Sequence, residues 1–375
     1  MSQRLRGMTW NHPRGLDPLL ACSEAYVKDH PGIEIDWEAR SLHDFGEAPF
    51  EELAASYDLL VFDHPWIGMV AESGVLIPLD TVLQREFLAD QARNSVGSSH
   101  ASYQWGGHQW ALAIDAACHV SAWRPDLIER PPATWSDVAD LARAAPGRVV
   151  VPGAPVDAYI SFLTLMANAV DDPLPDGGID PDVAADALAQ LADLMRLAHP
   201  KSLEWNPIQA LEVMTTTDEV LYTPLTFGYV NYATPGFRPS SLRFGAIPTG
   251  ARGVAGGVLG GAGLGVSVES AHQETAVDFA RFVASAEVQH GVYVRSNGQP
   301  GHRSAWVSDE VNESHGGFFA DTLAGIDASF LRPRSAAFPA VQADAIAAVH
   351  EWLTEGAPDP AGFATRIAEI FAARR

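Results

Sequence analysis

Two short segments of the sequence place a histidine, a proline and a tryptophan within a few residues of each other. The first is TWNHPRG, residues 9–15, and the second is FDHPWIG, residues 62–68. Imidazole nitrogens donate, accept and exchange protons near neutral pH, and an indole ring offers a flat apolar face with one N–H donor. A nearby guanidinium, that of Arg14, adds a planar fork of donors for a carboxylate or for vicinal hydroxyl groups. Such a set of groups suits recognition of a small polar molecule.

Both segments follow stretches that read as β-strands. In an open α/β sheet, ligands bind outside the carboxyl ends of the strands, and these two segments would share that edge. The alternatives are that Trp10 packs in the core and that the Arg14 side chain contacts only solvent. We predict one wall of a cleft here, formed by Trp10, His12, Arg14, His64 and Trp66.

Four residues farther along the chain are further candidates for ligand contact. Asp115 lies in the apolar run ALAIDAA, so its carboxylate needs a partner, either a ligand or a salt bridge. Tyr159 and Tyr229 lie at turns between a strand and a helix, and Arg303 lies in the loop RSNGQPGHRSAW. A purely structural role is the alternative for each of these side chains.

Signals of catalysis, of a cofactor and of a metal are weak. The sequence has no G-x-S-x-G elbow and no Walker A loop, and GGVLGGAG lacks the lysine and the flanking elements that a phosphate-binding loop requires. No pair of histidines is spaced as H-x-x-x-H, so His12 and His64 would need a third ligand such as Asp63 or Asp115. We expect no catalytic residues, no cofactor and no metal.

Composition excludes several classes of partner. Of the 375 residues, 47% are hydrophobic and the formal net charge is −23. The chain can therefore bury a large core, while its surface repels phosphate backbones and anionic membranes. No segment approaches the roughly 18 apolar residues of a membrane span. The isolated residues Cys22 and Cys118 are expected to be buried structural thiols.

Apolar runs alternate with helical patterns along the chain, which predicts an α/β architecture with parallel strands. LLVF, residues 59–62, has no polar alternation, as expected for a strand covered on both faces. Gly74 is predicted to end a helix, Gly106 and Gly107 to form a hairpin turn, and Thr134 to cap a helix. GRVVVPG, residues 147–153, reads as a strand, and the C-terminal region reads as helical.

The order of these segments resembles the family 1 extracellular solute-binding proteins of ABC importers, the group of maltose and oligosaccharide binders. The resemblance extends from Leu5 to Ala372. Asp115 replaces a proline of the family pattern, and Trp123-Arg124 replaces Tyr-Asn. Three stretches carry the resemblance: YDLLVFDHPWIGMVAESGVLIPLD, YQWGGHQWALAIDAACHVSAWRPDLIERPPATWSDVADLA and GVLGGAGLGVSVESAHQETAVDFARFVASAEVQ.

The resemblance implies a two-lobe periplasmic-binding-protein-like type II fold with a hinge and an interlobe cleft. Lobe one would hold residues 1–114 and 260–325, and lobe two residues 115–259 and 326–375. The crossings between lobes would be AID, residues 113–115, and GGVLGGAG, residues 256–263. Glycine suits such hinges because it tolerates changes of backbone dihedral angles.

The implied function is capture of a small polar ligand by hinge closure, without catalysis, for the permease subunits of an ABC importer. A carbohydrate or polyol is the favoured ligand and a small carboxylate the next. The alternative is a cytoplasmic enzyme or ligand sensor on the same scaffold. The N-terminal segment has no stretch typical of a signal peptide. We therefore expect a periplasmic or extracellular location if a signal peptide has been removed, and a cytoplasmic one otherwise.

Overall fold

The computed structural model describes residues 3–41 and 50–373. Its β-strands are β1 Gln3–Trp10, β2 Ile33–Arg40, β3 Leu59–Asp63, β4 Gln104–Trp105, β5 His108–Gln109, β6 Leu112–Ala113, β7 Ala117–Trp123, β8 Tyr222–Phe227, β9 Arg243–Gly245, β10 Leu259–Gly260 and β11 Ala262–Val266.

The α-helices cover the sheets. They are α1 Pro13–Asp29, α2 Phe50–Ser56, α3 Ile67–Ser73, α4 Arg85–Arg93, α5 Ser99–Ser102, α6 Trp135–Ala144, α7 Pro155–Ala169, α8 Pro181–Leu197, α9 Pro207–Thr216, α10 Gln273–Ala284, α11 Ala286–Val288, α12 Arg303–Trp306, α13 Asp309–Ser314, α14 Phe318–Asp327, α15 Phe338–Thr354 and α16 Pro360–Ala372. Short 3-10 turns cover His64–Trp66, Leu79–Thr81 and Val230–Ala233. None of the described helices is long and apolar enough to cross a membrane.

The first sheet has the strand order β2-β1-β3-β11-β6. Strand β1 pairs in parallel with β2 and β3, as the sequence predicted. Strand β11 is antiparallel to both β3 and β6, so the expectation of parallel strands was wrong there. The physical reason is the route of the chain, since β11 enters this sheet from the second sheet and not from a covering helix.

Strand β3 confirms the prediction of a strand covered on both faces. Leu59 and Val61 pack in the hydrophobic core on one side of the sheet, and Leu60 and Phe62 in the core on the other side. All four side chains are almost completely buried. The alternation of a strand therefore sends a continuous apolar run into two different cores.

The second sheet is built around β7, which pairs with β8, β9 and β10 in antiparallel fashion. The predicted strand at residues 147–153 contributes a single parallel bridge, Val149 to Tyr222, and no strand of its own. That apolar run is nevertheless buried, because Val149, Val150 and Val151 line the two cores of this half. Because this loop is buried, its sequence is as apolar as that of a strand, and the prediction of a strand here was wrong.

The chain crosses between the two sheets at places that the sequence marked as hinges. Residues 114–116 join β6 to β7, and Gly261 joins β10 to β11. Phe330 lies beside this region and bridges Val258, so the segment that follows α14 passes the same crossing. Gly261 has a φ of +99°, a conformation that favours glycine.

Each face of the second sheet has its own hydrophobic core. Helices α7, α8, α15 and α16 cover one face, where Ile160, Leu188 and Val349 are buried. Trp306 and Phe319, which the sequence analysis assigned to lobe one, pack in the core of the opposite face. Helices α12 and α14 therefore associate with the second sheet.

Local sequence signals fix several element ends as predicted. Gly74 ends α3 in the left-handed conformation, and Gly106 and Gly107 both have positive φ in the hairpin turn. Thr134 forms a capping box with Asp137 at the start of α6. Both cysteines are buried and unpaired, as expected.

The crossing at Gly261 generates a test of fold stability. A Cβ at Gly261 would lie 2.4 Å from the Asp115 carbonyl oxygen, inside the neighbouring crossing. We expect Gly261→Ala to lower the free energy of unfolding by roughly 3 kcal/mol, because strain and a backbone clash add. The control is Gly236→Ala. Gly236 has a φ of +85°, but no described atom lies within 4 Å of the position of the added Cβ. It should cost about 1 kcal/mol by chemical denaturation, and equal costs would contradict the clash.

Candidate ligand-binding cleft

A fully buried ion pair lies where the two sheets meet. Arg14 is in the first turn of α1, and Asp115 is in the crossing between β6 and β7. Arg14 Nε donates to Asp115 Oδ2 at 2.8 Å, and Nη2 donates to Oδ1 at 2.5 Å. The side chains are 4% and 1% exposed, so this bidentate bond is shielded from water. Burial alone would lower the Arg14 pKa, but Asp115 outweighs it and keeps the guanidinium charged.

The same guanidinium also holds the loop that follows β8. Arg14 Nη1 donates to the Gly228 carbonyl oxygen at 2.9 Å. Its central carbon lies 4.7 Å from the centre of the Tyr229 ring, a cation–π contact. Three segments that are far apart in sequence are therefore fixed to one side chain. In this conformation Arg14 and Asp115 use their hydrogen-bonding groups on protein partners, and a ligand contact by either stays a prediction.

His12 supports this arrangement at the start of α1. Its Nδ1 accepts a hydrogen bond from the Arg14 backbone N–H at 3.1 Å, so His12 is the N-cap of the helix. Its ring lies edge-on to Tyr229, with 4.9 Å between centres. Burial, aided by the Arg14 charge, lowers the pKa of His12 to about 3. The ring is therefore neutral at pH 7, and it joins the start of α1 to the loop after β8.

Arg332 is a buried charged group whose hydrogen bonds are incomplete within the described residues. It is 6% exposed, and its Nη1 donates to Gln342 Oε1 at 3.0 Å. Its Nε has no hydrogen-bond partner within the described residues. Burial lowers the pKa of this guanidinium, and Asp63 is the main opposing charge. A buried guanidinium with unused donors is costly unless something else binds it.

Asp63 ends β3, and its side chain is open to water. Desolvation nevertheless raises the pKa of its carboxyl group to about 6, and the Arg332 charge opposes that rise. Tyr103 borders the same place, because its hydroxyl donates to the carbonyl oxygens of Phe62 at 3.0 Å and Gly261 at 3.3 Å.

His64 and Trp66 lie in the 3-10 turn directly after Asp63, against the second half of the chain. His64 is 1% exposed, and neither ring nitrogen has a partner among the described residues. Burial, with help from the Arg332 and Arg334 charges, lowers its pKa well below the usual value. Trp66 is half-buried and lies 5.8 Å from the Phe50 ring, measured between centres. The helix after this turn contacts the segment after α14, because Gly68 N donates to the Arg334 carbonyl oxygen at 3.0 Å.

The first turns of α7 supply the groups on the other side. The Tyr159 hydroxyl is buried, and no described residue bonds to it. Burial raises the pKa of Tyr159, and the Arg332 charge opposes that rise. Asp157 is 5% exposed, and burial raises its pKa to about 8. Tyr229 feels the charges of both Asp157 and Asp63, and burial raises its own pKa to about 12.

Two predicted residues lie apart from this group. Trp10 is 5% exposed and packs in the core of the first sheet, with its ring against Gly15. Arg303 forms a bidentate ion pair with Asp327, in which Nη1 donates to Oδ2 at 2.9 Å. The structure thus brings His12, Arg14, Asp115 and Tyr229 together at the hinge.

Sequence reasoning missed Arg332 and did not select Asp63 or Asp157 as contacts. Arg332 lies in LRPR, residues 331–334, whose two arginines flank a proline in a chain with 24 basic residues. Because basic residues are scarce in this chain, two of them within four residues could have directed attention to this segment. Across residues 3–41 and 50–373, no group of three histidine, cysteine, aspartate or glutamate side chains could hold a metal ion.

The chain matches a known protein family over most of its length. A family model described as "Bacterial extracellular solute-binding protein" matches residues 18–290. A maltotriose-binding protein of Pyrococcus abyssi is 26% identical over 134 residues. That alignment covers 34% of this chain and 28% of the length of the curated relative.

Solved structures match over nearly the whole chain. Maltose-bound MalE3 of T. maritima has a TM-score of 0.86 at 18% identity, covering 99% of this chain and 100% of its own. A solute-binding protein of Agrobacterium radiobacter in complex with ribitol has a TM-score of 0.81 at 18% identity, with coverages of 99% and 98%. The maltotriose-bound protein of Thermus thermophilus has a TM-score of 0.77 at 19% identity, with coverages of 99% and 100%. These matches establish the predicted α/β, two-lobe type II fold.

The carboxyl group of Asp157 generates a pH test. Its pKa rises from 3.8 to about 8 on folding, so the folded state holds a proton that the unfolded state releases. The free energy of unfolding should therefore fall as pH rises from 4 to 8, by up to about 1.4 kcal/mol per pH unit from this group. We expect Asp157→Asn to remove that slope in urea denaturation series. The exposed Asp140→Asn serves as the control, and identical slopes for wild type and Asp157→Asn would contradict the assignment.

Proposed function

The chain belongs to the bacterial extracellular solute-binding protein family, and from that premise we propose that it captures a carbohydrate or polyol between its two lobes. The family consists of binding proteins, and this chain is likewise a solute-binding protein and not an enzyme. The alternative of a cytoplasmic enzyme or sensor, raised from the sequence, therefore has no support.

One observation carries the choice of site. Two buried polar atoms, Arg332 Nε and the Tyr159 hydroxyl oxygen, have no hydrogen-bond partner within the described residues, and the Arg332 charge acts on the ionisation of Tyr159. Burial raises the pKa values of Asp63 and Asp157. Such groups lower the free energy of the complex when a ligand supplies the missing bonds. Hydroxyl groups fit best, because each donates one hydrogen bond and accepts others.

The charge of the cleft favours a neutral ligand over a carboxylate. Arg14 is neutralised by Asp115, and Asp63 is the carboxyl group whose charge acts most strongly on the remaining Arg332. A carboxylate ligand would meet at least one like charge there, at a cost that grows with burial. A small carboxylate is the second candidate, on the strength of the unused Arg332 Nε.

The matched structures hold ligands of this kind. They are described as bound to maltose, ribitol and maltotriose. These ligands share several hydroxyl groups and no charge. The likeness supports the ligand class and leaves the individual solute to experiment.

We place the hinge at residues 114–116 and at Gly261, where the sheets are joined. We propose that the ligand contacts Arg332, Tyr159 and Asp63 together in the closed state only. The lobe boundary at residue 325 stays a prediction, and the packing of Trp306 with the second sheet favours a boundary near 300. We propose further that the protein delivers this solute to ABC permease subunits outside the cytoplasm.

The test is a calorimetric titration of the whole chain with a matched panel. The panel comprises maltose, maltotriose, ribitol and glycerol, with citrate and succinate as the carboxylates. We expect saturable binding of at least one carbohydrate or polyol and none of the carboxylates. Binding of the carboxylates alone would overturn the ligand class.

A variant locates the site. Arg332→Gln removes the charge and the donor fork, and we expect a loss of about 10- to 100-fold in affinity for the bound ligand. Arg303→Gln is the control, because that arginine pairs with Asp327 instead of facing Asp63. Equal affinity for wild type and Arg332→Gln would place the ligand elsewhere.

A further inference from the structure

A short segment between α14 and α15 belongs with the second sheet and reaches over to the first. We call it the strap, residues 330–336. The helices on either side of it pack on the second sheet, because Ile326 of α14 and Phe338 of α15 are buried in its two cores. The strap begins beside β10, where Leu259 N donates to the Phe330 carbonyl oxygen at 2.8 Å. Bonds from the strap to elements of the first sheet therefore join the two lobes.

The Arg334 side chain holds the strap against elements of the first sheet. Its Nη1 donates to the carbonyl oxygens of Ala101 at 2.6 Å and Gln104 at 3.1 Å. Tyr103, which lies between these two acceptors in the chain, is buried in a core of the first sheet. Arg334 is half-buried, and burial lowers the pKa of its guanidinium. Hydrogen bonds from a charged donor are stronger than neutral ones, so these two bonds compensate for the lost hydration.

The backbone of the strap contacts α3 at Gly68. The Gly68 N–H lies in the first turn of this helix, where amides lack partners within the helix, and it donates to the Arg334 carbonyl oxygen at 3.0 Å. A Cβ on Gly68 would lie only 2.2 Å from that oxygen and 2.8 Å from the Ala336 nitrogen. Gly68 is helical and has no positive φ, so α3 itself would accept an alanine there. The close approach of the strap therefore requires glycine at this position.

These contacts lie next to groups of the candidate cleft on both sides. Gly68 follows the 3-10 turn His64–Trp66, and Arg332 precedes Arg334 by two residues. Arg332 Nη1 donates to Gln342 of α15, whereas Arg334 donates to elements of the first sheet. The two arginines of the strap are thus bound to different halves of the chain. A hinge motion that separated the His64–Trp66 turn from Arg332 would break both contacts of the strap with the first sheet.

We propose that Arg334 and Gly68 form a latch that holds the two lobes together before a solute is bound. The proposal rests on the proposed function only in taking the space between the lobes as the binding cleft. Because the latch populates the closed conformation in advance, closure over a solute needs less free energy, and release of the solute requires the latch to break. Both are positioning residues, since they act through the segments of Arg332 and His64 and need no contact with the solute.

The test uses the unliganded whole chain, so its outcome does not depend on which solute the cleft binds. Arg334→Met removes the donor, and Gly68→Ala places a methyl group against the strap. We expect each variant to remain folded by circular dichroism and to have a larger radius of gyration than wild type in small-angle X-ray scattering. In Arg334→Met the Gly68 amide should exchange with solvent about tenfold faster, because its acceptor moves away. An unchanged radius of gyration, or loss of the folded state in both variants, would overturn the proposal, because the contact would then be a fixed part of the fold.

Matched controls separate the latch from the substitutions themselves. Arg148→Met removes an arginine whose Nη2 donates to a backbone carbonyl oxygen, that of Asp218 at 2.7 Å, within the second half of the chain. Gly325→Ala adds a Cβ to helix α14 at an ordinary distance of 3.7 Å from Ala246. Both controls should keep the wild-type radius of gyration. The double variant of Arg334→Met and Gly68→Ala should expand no more than the larger single variant, because both break one latch. Expansion of either control, or additive expansion in the double variant, would contradict the assignment.

Discussion

The buried pair of Arg14 and Asp115 is the interaction on which the arrangement of the two halves depends. Transferring two ions from water into protein costs several kcal/mol for each, and the cost is offset only where geometry is favourable and other hydrogen-bonding groups are satisfied. Here the bond is bidentate, and the third guanidinium nitrogen, Nη1, donates to the Gly228 carbonyl oxygen. The pair thereby joins the start of α1, the first crossing and the loop after β8. Loss of either partner would leave a charge without compensation at the point where the sheets meet.

The polar groups of the candidate cleft differ from this pair, because several of them lack hydrogen-bond partners. Arg332 and Tyr159 are buried but incompletely bonded within the described residues, and Asp157 holds its proton at neutral pH because of burial. A polar network with missing hydrogen bonds lowers the stability of the unliganded protein. A ligand that supplies those bonds restores the lost stability. Each guanidinium nitrogen of Arg14 has a described partner, whereas Arg332 Nε and the Tyr159 hydroxyl have none. We propose that the first group fixes the hinge and that a bound solute completes the hydrogen bonds of the second.

Much of the fold could be predicted from local sequence, and the pairing of side chains could not. The apolar run at residues 59–62, Gly74 and the capping box of Thr134 each express a local constraint, and the structure contains them as predicted. Asp115 was correctly predicted to need a partner, but 101 residues separate it from Arg14, and no local pattern encodes that contact. The antiparallel entry of β11 is likewise a property of the chain route. Arg332 was not selected, because the scarcity of basic residues draws attention to LRPR but encodes neither the burial of Arg332 nor its partners.

The central claim is that Arg14 and Asp115 stabilise the fold through each other. A double-mutant cycle with Arg14→Met, Asp115→Leu and the double variant measures this directly by chemical denaturation. The account predicts that each single variant loses about 3–5 kcal/mol, that the double variant loses much less than their sum, and that the coupling energy exceeds about 2 kcal/mol. Additive losses with a coupling energy near zero would contradict it.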